Sequence, residues 1–342
     1  MATPTPKNRS GSFFNPTSPR LHRARRYGWM IILLVVLLSG AACTRSKTGD
    51  QLENQNQNAA PSSVLPSGNI WQDQGVVIPG QFADAEIVAL GNGRYRLYYA
   101  AEPDSPDFQG QVYSSISSDG INWVKEEGIR KTQAVFFDVI QLPDGRYRAY
   151  FQNAQAIKSA ISADGLAWTD EPGVRIDQNE AGYNLENVGA QSTFLLPDGT
   201  YVMVYRGTIN EPYQTAEKIP NSTTQLYFWA VSEDGLNFEK KGLAIDSRNE
   251  TLYGLADGAE WVTWESGELR LYFWSYAGIY HTAFANEVFS QPVFDWTNNK
   301  DSRVKFAPDP PCDPTILKIN SRWFMYYGQH SRGIYYATYG EE

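Results

Sequence analysis

The sequence predicts an all-β fold, a five-bladed β-propeller closed by an N-terminal strand that completes the last blade. Three observations predict it. An aromatic strand pattern recurs five times, as GRYRLYY at Gly93, GRYRAYF at Gly145, GTYVMVY at Gly199, GELRLYF at Gly267 and SRWFMYY at Ser321, in steps of 52, 54, 68 and 54 residues. A second pattern, a serine followed by Asp-Gly and an aromatic, recurs as ISSDGINW (116–123), ISADGLAW (161–168) and VSEDGLNF (231–238). Apolar residues alternate at period two between turn residues, and no stretch has helical periodicity. Repeats of this length mark a propeller or solenoid, and four strands per unit in five units specify a propeller.

The first 42 residues read as an address rather than a fold. Lys7, Arg9, Arg20, Arg23, Arg25 and Arg26 precede an apolar run at 30–38 that is short for a bilayer span, and small residues follow. Cys43 stands where a bacterial lipoprotein cysteine would stand; the small residues before it resemble a lipobox, with Gly40 where leucine is usual. Lipidation at Cys43 is the expectation, with cleavage near Ala42 or a retained anchor as alternatives. The location expected is therefore the cell surface or periplasm, with a membrane tether through Cys43. Residues 43–68 continue as a polar, low-complexity linker that cannot bury a core. Residues 69–342 are then the propeller.

Charge narrows the partners. The whole chain is −9, and beyond the leader 23 basic residues face 38 acidic ones, a net −15. A polyanion such as nucleic acid is a poor partner for that surface, whereas a neutral carbohydrate is not. Two cysteines, one of them Cys43, make no disulfide framework, and His22, His281 and His330 are too scattered for a zinc site. A monomer is expected.

Within each unit a short apolar strand comes first (EIVAL, DVIQL, TFLL, EWVTW, TILKI), then a turn, then the aromatic strand. A third strand ends at the Asp-Gly motif, and a weaker fourth follows in EEGIRK, EPGVRI and KKGLAI. The long third step is an insertion, INEPYQTAEKIPNSTT, between two strands of one unit. The chain ends after a third strand, while IWQDQGVVIPG at Ile70 has the pattern of a fourth. The N-terminal strand is therefore expected to complete blade 5. The Asp-Gly motif supplies too few oxygens for a calcium loop. It also lacks the extra residue of the sialidase Asp box, S-x-D-x-G-x-x-W. It reads as a tight turn on the outer rim, stapled by residues such as Ser117 and Trp123.

The first strand of each unit should line the central channel. Seven residues before the turn position stand Glu86, Asp138, Ser192, Glu260 and Pro314. Eight before stand Ala85, Phe137, Gln191, Ala259 and Asp313, and nine before stand Asp84, Phe136, Ala190, Gly258 and Cys312. Asp257 adjoins this register, and Glu186 lies just before the third strand set. Carboxyls converging on one axis repel and are desolvated, which makes them candidates for acid/base work. The structural alternative is that they cap turns or pair with Arg94, Arg96, Arg148 or Arg206.

The stretch DPTILKINSRWFMYYGQHSRGIYYA from Asp313, and more loosely Asp84-Ala85-Glu86-Ile87-Val88, resemble the five-bladed propeller glycosidases. These are the arabinanase and xylosidase class of glycoside hydrolase family 43 and the related invertase and levansucrase class. The resemblance implies a general base at Asp84, with Glu86 as competitor, and a general acid at Glu260. It implies a third-blade Asp where this chain has Gln191 and Ser192; Asp138 or Glu186 would have to substitute. Asp84, Glu86, Asp138 and Glu260 are thus the catalytic candidates. Glu186, Gln191, Arg206, Asp257 and Asp313 are the substrate-binding candidates. No cofactor is required, though the resemblance allows a calcium ion in the channel near His330. The function expected is an exported glycoside hydrolase acting on poly- or oligosaccharide through two carboxyls. The alternative is a non-catalytic carbohydrate-binding or scaffold propeller. A sialidase would need three arginines on a carboxylate and a Tyr-Glu nucleophile pair; Arg206 is one candidate arginine, and the sequence offers no convincing trio.

Overall fold

The computed structural model describes residues 71–102, 110–299, 306, 309–329 and 332–339. The leader, the linker with Cys43, and His330 lie outside the described residues. Antiparallel sheets of four or five strands form five blades, with no helix among the described residues.

Blade 1 runs outward from β2 (Phe82–Ala89) through β3 (Tyr95–Ala101) and β4 (Gln111–Ser117) to β5 (Val124–Lys125), with β6 (Lys131–Thr132) also on β4. Blade 2 is β7 (Val135–Gln141), β8 (Tyr147–Asn153), β9 (Ala156–Ser162) and β10 (Thr169–Asp170). A small hairpin, β11 (Asn179–Glu180) and β12 (Tyr183–Asn184), leads to blade 3. That blade is β13 (Asn187–Leu195), β14 (Tyr201–Ile209), β15 (Thr224–Ser232) and β16 (Glu239–Ile245), with the insertion between β14 and β15. Blade 4 is β17 (Asp257–Thr263), β18 (Leu269–Ser275), β19 (Gly278–Ala285) and β20 (Val288–Phe289), with β21 (Val293–Trp296) also on β19. Blade 5 is β22 (Cys312–Ile319), β23 (Arg322–Gly328) and β24 (Gly333–Tyr339), and β1 (Gln72–Pro79) is its outermost strand. β1 pairs antiparallel with β24 from Gln72↔Thr338 to Pro79↔Gly333.

The inner strands touch in the cyclic order β2, β7, β13, β17, β22 and back to β2. The aromatic repeat explains what fills the space between them. Five buried clusters lie one per seam between blades. Tyr98 and Phe137 meet between blades 1 and 2, Tyr150 and Phe228 lie in the next seam, and Trp71, Trp296 and Trp323 fill the seam between blades 4 and 5. Each such ring removes roughly 150–250 Å² from water. Period-two alternation puts the large rings on the faces that stack against neighbouring blades.

The Asp-Gly turns are not on the outer rim. Each reaches back onto the second strand of the preceding blade. The Gly165 carbonyl of blade 2 accepts from the Tyr98 hydroxyl of blade 1 at 2.8 Å, and the Asp164 carbonyl accepts from Arg96 at 2.7 Å. Blade 3 repeats this on blade 2, with Gly235 accepting from Tyr150 at 2.8 Å and Asp234 from Arg148 at 2.9 Å. Blade 1 repeats it on blade 5, with Gly120 accepting from Tyr326 at 2.7 Å. The motif aromatic then packs edge-on against the same tyrosine: Trp123 on Tyr326, Trp168 on Tyr98, Phe238 on Tyr150. The serine hydroxyl accepts from the N–H groups of the Asp and Gly, closing the turn from inside. Arg96 and Arg148 are further held by bidentate pairing to Glu126 and Glu171 of their own blades, so they are not partners of the axial acids.

The glycine of this turn cannot be replaced cheaply. Gly165 has φ +72°, and a Cβ there would stand 2.5 Å from both the Tyr98 hydroxyl and an Arg96 nitrogen. Gly165→Ala combines left-handed strain with overpacking at a seam, and is expected to cost about 2–4 kcal/mol in urea unfolding. A change within error of wild type would contradict the docked turn.

Candidate active site

Five inner strands each present one free edge to the axis, and unpaired strand N–H groups need partners. One ring of side chains supplies them. Glu86 Oε1 accepts from the Val139 N–H of blade 2 at 3.3 Å. Ser192 Oγ accepts from Trp261 N–H of blade 4 at 3.1 Å, and Thr315 Oγ1 accepts from Ile87 N–H of blade 1 at 3.1 Å. Asp138 faces the Thr193 N–H and hydroxyl of blade 3. In each case the donor lies one residue past the ring position of the next blade. The fifth member is Thr315, not the Pro314 that counting from the turn position places there. The β22–β23 hairpin pairs Ile319 with Arg322 across two residues, whereas the other four inner hairpins are longer, which shifts the count by one.

Glu260 completes the ring differently. Its carboxyl neighbours that of Glu86, and the two perturb each other's titration. Burial is the main reason both stay well above the ordinary carboxylate range, and the charges of Glu260 and Asp138 on Glu86, and of Asp138 on Glu260, add to it. Burial likewise lifts Asp138 from 3.8 to about 7. Glu86 and Glu260 are therefore two neighbouring buried carboxyls, each held toward its protonated form.

A second layer lies two residues nearer the mouth. Every inner strand bulges there: the ladder breaks between Ala83 and Glu86, Val135 and Asp138, Gly189 and Ser192, Asp257 and Glu260, and Cys312 and Thr315. The first bulge residues are Asp84, Phe136, Ala190, Gly258 and Asp313, all left-handed with φ of 51°, 50°, 44°, 51° and 49°. Four of the five are not glycine, a strain of about 1–3 kcal/mol each. Bulges re-aim side chains, and here they turn two carboxyls into the mouth.

Asp84 Oδ2 accepts from Phe136 N–H at 3.2 Å, and Asp313 Oδ1 accepts from Trp274 Nε1 at 3.1 Å. Both are partly exposed, yet the funnel walls strip most water from them. Burial, then the charge of Glu102, raises Asp84 from 3.8 to about 7. Burial, then the charge of Asp84, holds Asp313 well above its ordinary value. Arg206 grips both oxygens of Asp257 at 2.8 Å. That pair is buried, with Arg206 also donating to Gln152 at 3.2 Å and lying 5.1 Å from the Phe136 ring centre.

Between the layers lies an axial cavity of about 30 Å³, enough for a single water. Asp84, Glu86, Asp138, Gln191 and Asp313 line it. Gln191 donates to the carbonyls of Phe136 and, at 3.0 Å, Tyr150. Its Oε1 and Asp138 Oδ2 are buried without a protein partner. Glu186 is exposed and does not line this cavity. No group of three or more His, Cys, Asp or Glu among the described residues is arranged to hold a metal ion.

The structure thus gathers Asp84, Glu86, Asp138, Gln191, Arg206, Asp257, Glu260 and Asp313 around one axis in two layers. Sequence reasoning missed Trp274 and Gln152. Trp274 pairs with Asp257 in the β17–β18 ladder, so counting register from GELRLYFW would have found it.

The raised carboxyls set a pH dependence. Between about pH 4 and 7 the folded chain binds more protons than the unfolded one, so stability falls as pH rises through that window. The melting temperature is expected to be higher at pH 5 than at pH 8, and Asp138→Asn should flatten the slope. An unchanged slope in that variant would count against a buried, protonatable Asp138.

No family model matches the chain, and no curated protein matches it. Solved structures do. One is described as "The GH130 family of mannoside phosphorylases contains glycoside hydrolases that target beta-1,2 mannosidic linkages in Candida mannan": TM-score 0.60 and 13% identity over 83% of this chain and 97% of that one. A putative glycosidase from Bacteroides thetaiotaomicron gives 0.57 and 15% over 80% and 95%. A thermostable family-43 glycoside hydrolase gives 0.56 and 15% over 79% and 94%. At these identities the likeness is one of fold: the chain has the five-bladed architecture found in glycoside hydrolases.

Proposed function

We propose that this protein cleaves glycosidic bonds at the axial mouth, with Asp84 and Asp313 as its acid/base pair. One observation carries the reading. These two carboxyls alone occupy the left-handed bulge position and line the axial cavity. Neighbouring acids that perturb each other titrate apart, leaving one protonated and one ionised at neutral pH. Asp313 donates its proton to the glycosidic oxygen as the bond from the anomeric carbon breaks. Asp84 takes a proton from the water whose oxygen bonds to that carbon. Asp257 with Arg206 and Trp274 positions the pair, and Glu86, Asp138, Ser192 and Thr315 hold the inner edges below it. The fold shared with GH130 and family-43 structures supports a carbohydrate substrate. The reading requires no cofactor.

The leader and Cys43 extend the proposal to an exported, membrane-tethered protein, tested by fatty-acid labelling with Cys43→Ser as control. Asp84→Asn and Asp313→Asn are each expected to lower kcat/KM on an aryl glycoside by about 10²–10⁴-fold while sugar binding persists. Glu260→Gln should change stability more than turnover. A wild-type protein that binds one of a panel of arabino-, xylo-, manno- and fructo-glycosides but cleaves none would instead establish a carbohydrate-binding propeller.

A further inference from the structure

The turn lock that joins blades 1 to 5, 2 to 1 and 3 to 2 is missing on both sides of the seam between blades 3 and 4. On blade 3, Val202 and Val204 hold the ladder positions that Arg96 and Tyr98, or Arg148 and Tyr150, hold in blades 1 and 2. On blade 4, β19 and β20 are joined by Asn286-Glu287 alone, both left-handed, with no Asp-Gly loop to reach across. Losing donor and acceptor together leaves a hollow of about 520 Å³ at the end of the ring opposite the axial mouth. That is within the roughly 300–1,000 Å³ of small-molecule sites.

Its lining is two-sided in chemistry. Val202, Trp229, Leu269 and Phe284 form an apolar floor, with Phe284 edge-on to Trp229 at 5.6 Å. Asp198, Glu268 and Glu287 line its edge, and no Lys, Arg or His is among the residues that line it. Glu268 is ion-paired to Arg270, and Asp198 is held ionised below its ordinary value by the Thr200 N–H. Asp198 and Glu287 are exposed, and neither is ion-paired among the described residues.

We infer that this seam is a binding site for a small organic cation, an aryl or branched alkyl group carrying an ammonium. The apolar group would occupy the place that a docked turn fills at the three locked seams. The ammonium would lie at the carboxylate edge. The site is remote from the axial carboxyls and independent of any activity there.

Isothermal titration of the folded protein with 2-phenylethylammonium, 2-phenylethanol and 3-phenylpropionate tests it, since the three share an aryl group and differ in charge. The ammonium is expected to bind, the alcohol more weakly and the carboxylate weakest. Asp198→Asn with Glu287→Gln, both surface changes, should weaken the ammonium about fivefold and leave the alcohol unchanged. Leu269→Trp should abolish binding of both by filling the floor. No binding by wild type, equal binding of ammonium and alcohol, or binding undiminished in Leu269→Trp would each overturn the inference.

Discussion

Innermost strands of a propeller have an edge that no further strand can cover, because the ring closes on itself there. Their N–H groups face a narrow axis with little room for water, and an unmet buried donor costs about 1–3 kcal/mol. Glu86, Asp138, Ser192 and Thr315 answer this by reaching to the next inner strand. Using carboxyls for some of these contacts brings acids close together in low dielectric. The raised proton affinity of Glu86 and Glu260 is the consequence, since neighbouring ionised carboxylates repel in low dielectric.

That lower layer fixes the geometry of the upper one. With the strands tied to one another below, a bulge at the same position in each lets them splay toward the mouth. The left-handed residue of the bulge then decides what the mouth contains. Gly258 leaves space that a Cβ would take from the Asp313 side chain, Phe136 supplies the ring under Arg206, and Asp84 and Asp313 supply carboxyls. The bidentate Arg206 pairing neutralises Asp257 locally, so two acids of different surroundings remain at the entrance.

Away from the axis, cohesion is carried by aromatic seams and by the Asp-Gly turns that dock on them. Repetition makes most seams alike, and the departure at the seam between blades 3 and 4 stands out for that reason. Packing there rests on Trp229, Trp261, Phe284 and Phe289 without the polar lock.

Strand alternation, turn residues and a recurring aromatic pattern are local properties, so the sequence by itself determined the fold class, the number of blades and which strands line the axis. It also brought forward nearly all the axial residues, since a repeat aligned on one turn puts equivalent positions in columns. Only the tertiary structure decided what those residues do. How close Glu86 and Glu260 come to each other depends on the ring's diameter, which no local pattern encodes. Whether Pro314 or Thr315 enters the ring depends on a hairpin two residues long, and where the Asp-Gly turns lie depends on the blade before them. These are relations between segments far apart in the chain, set by closure of the ring.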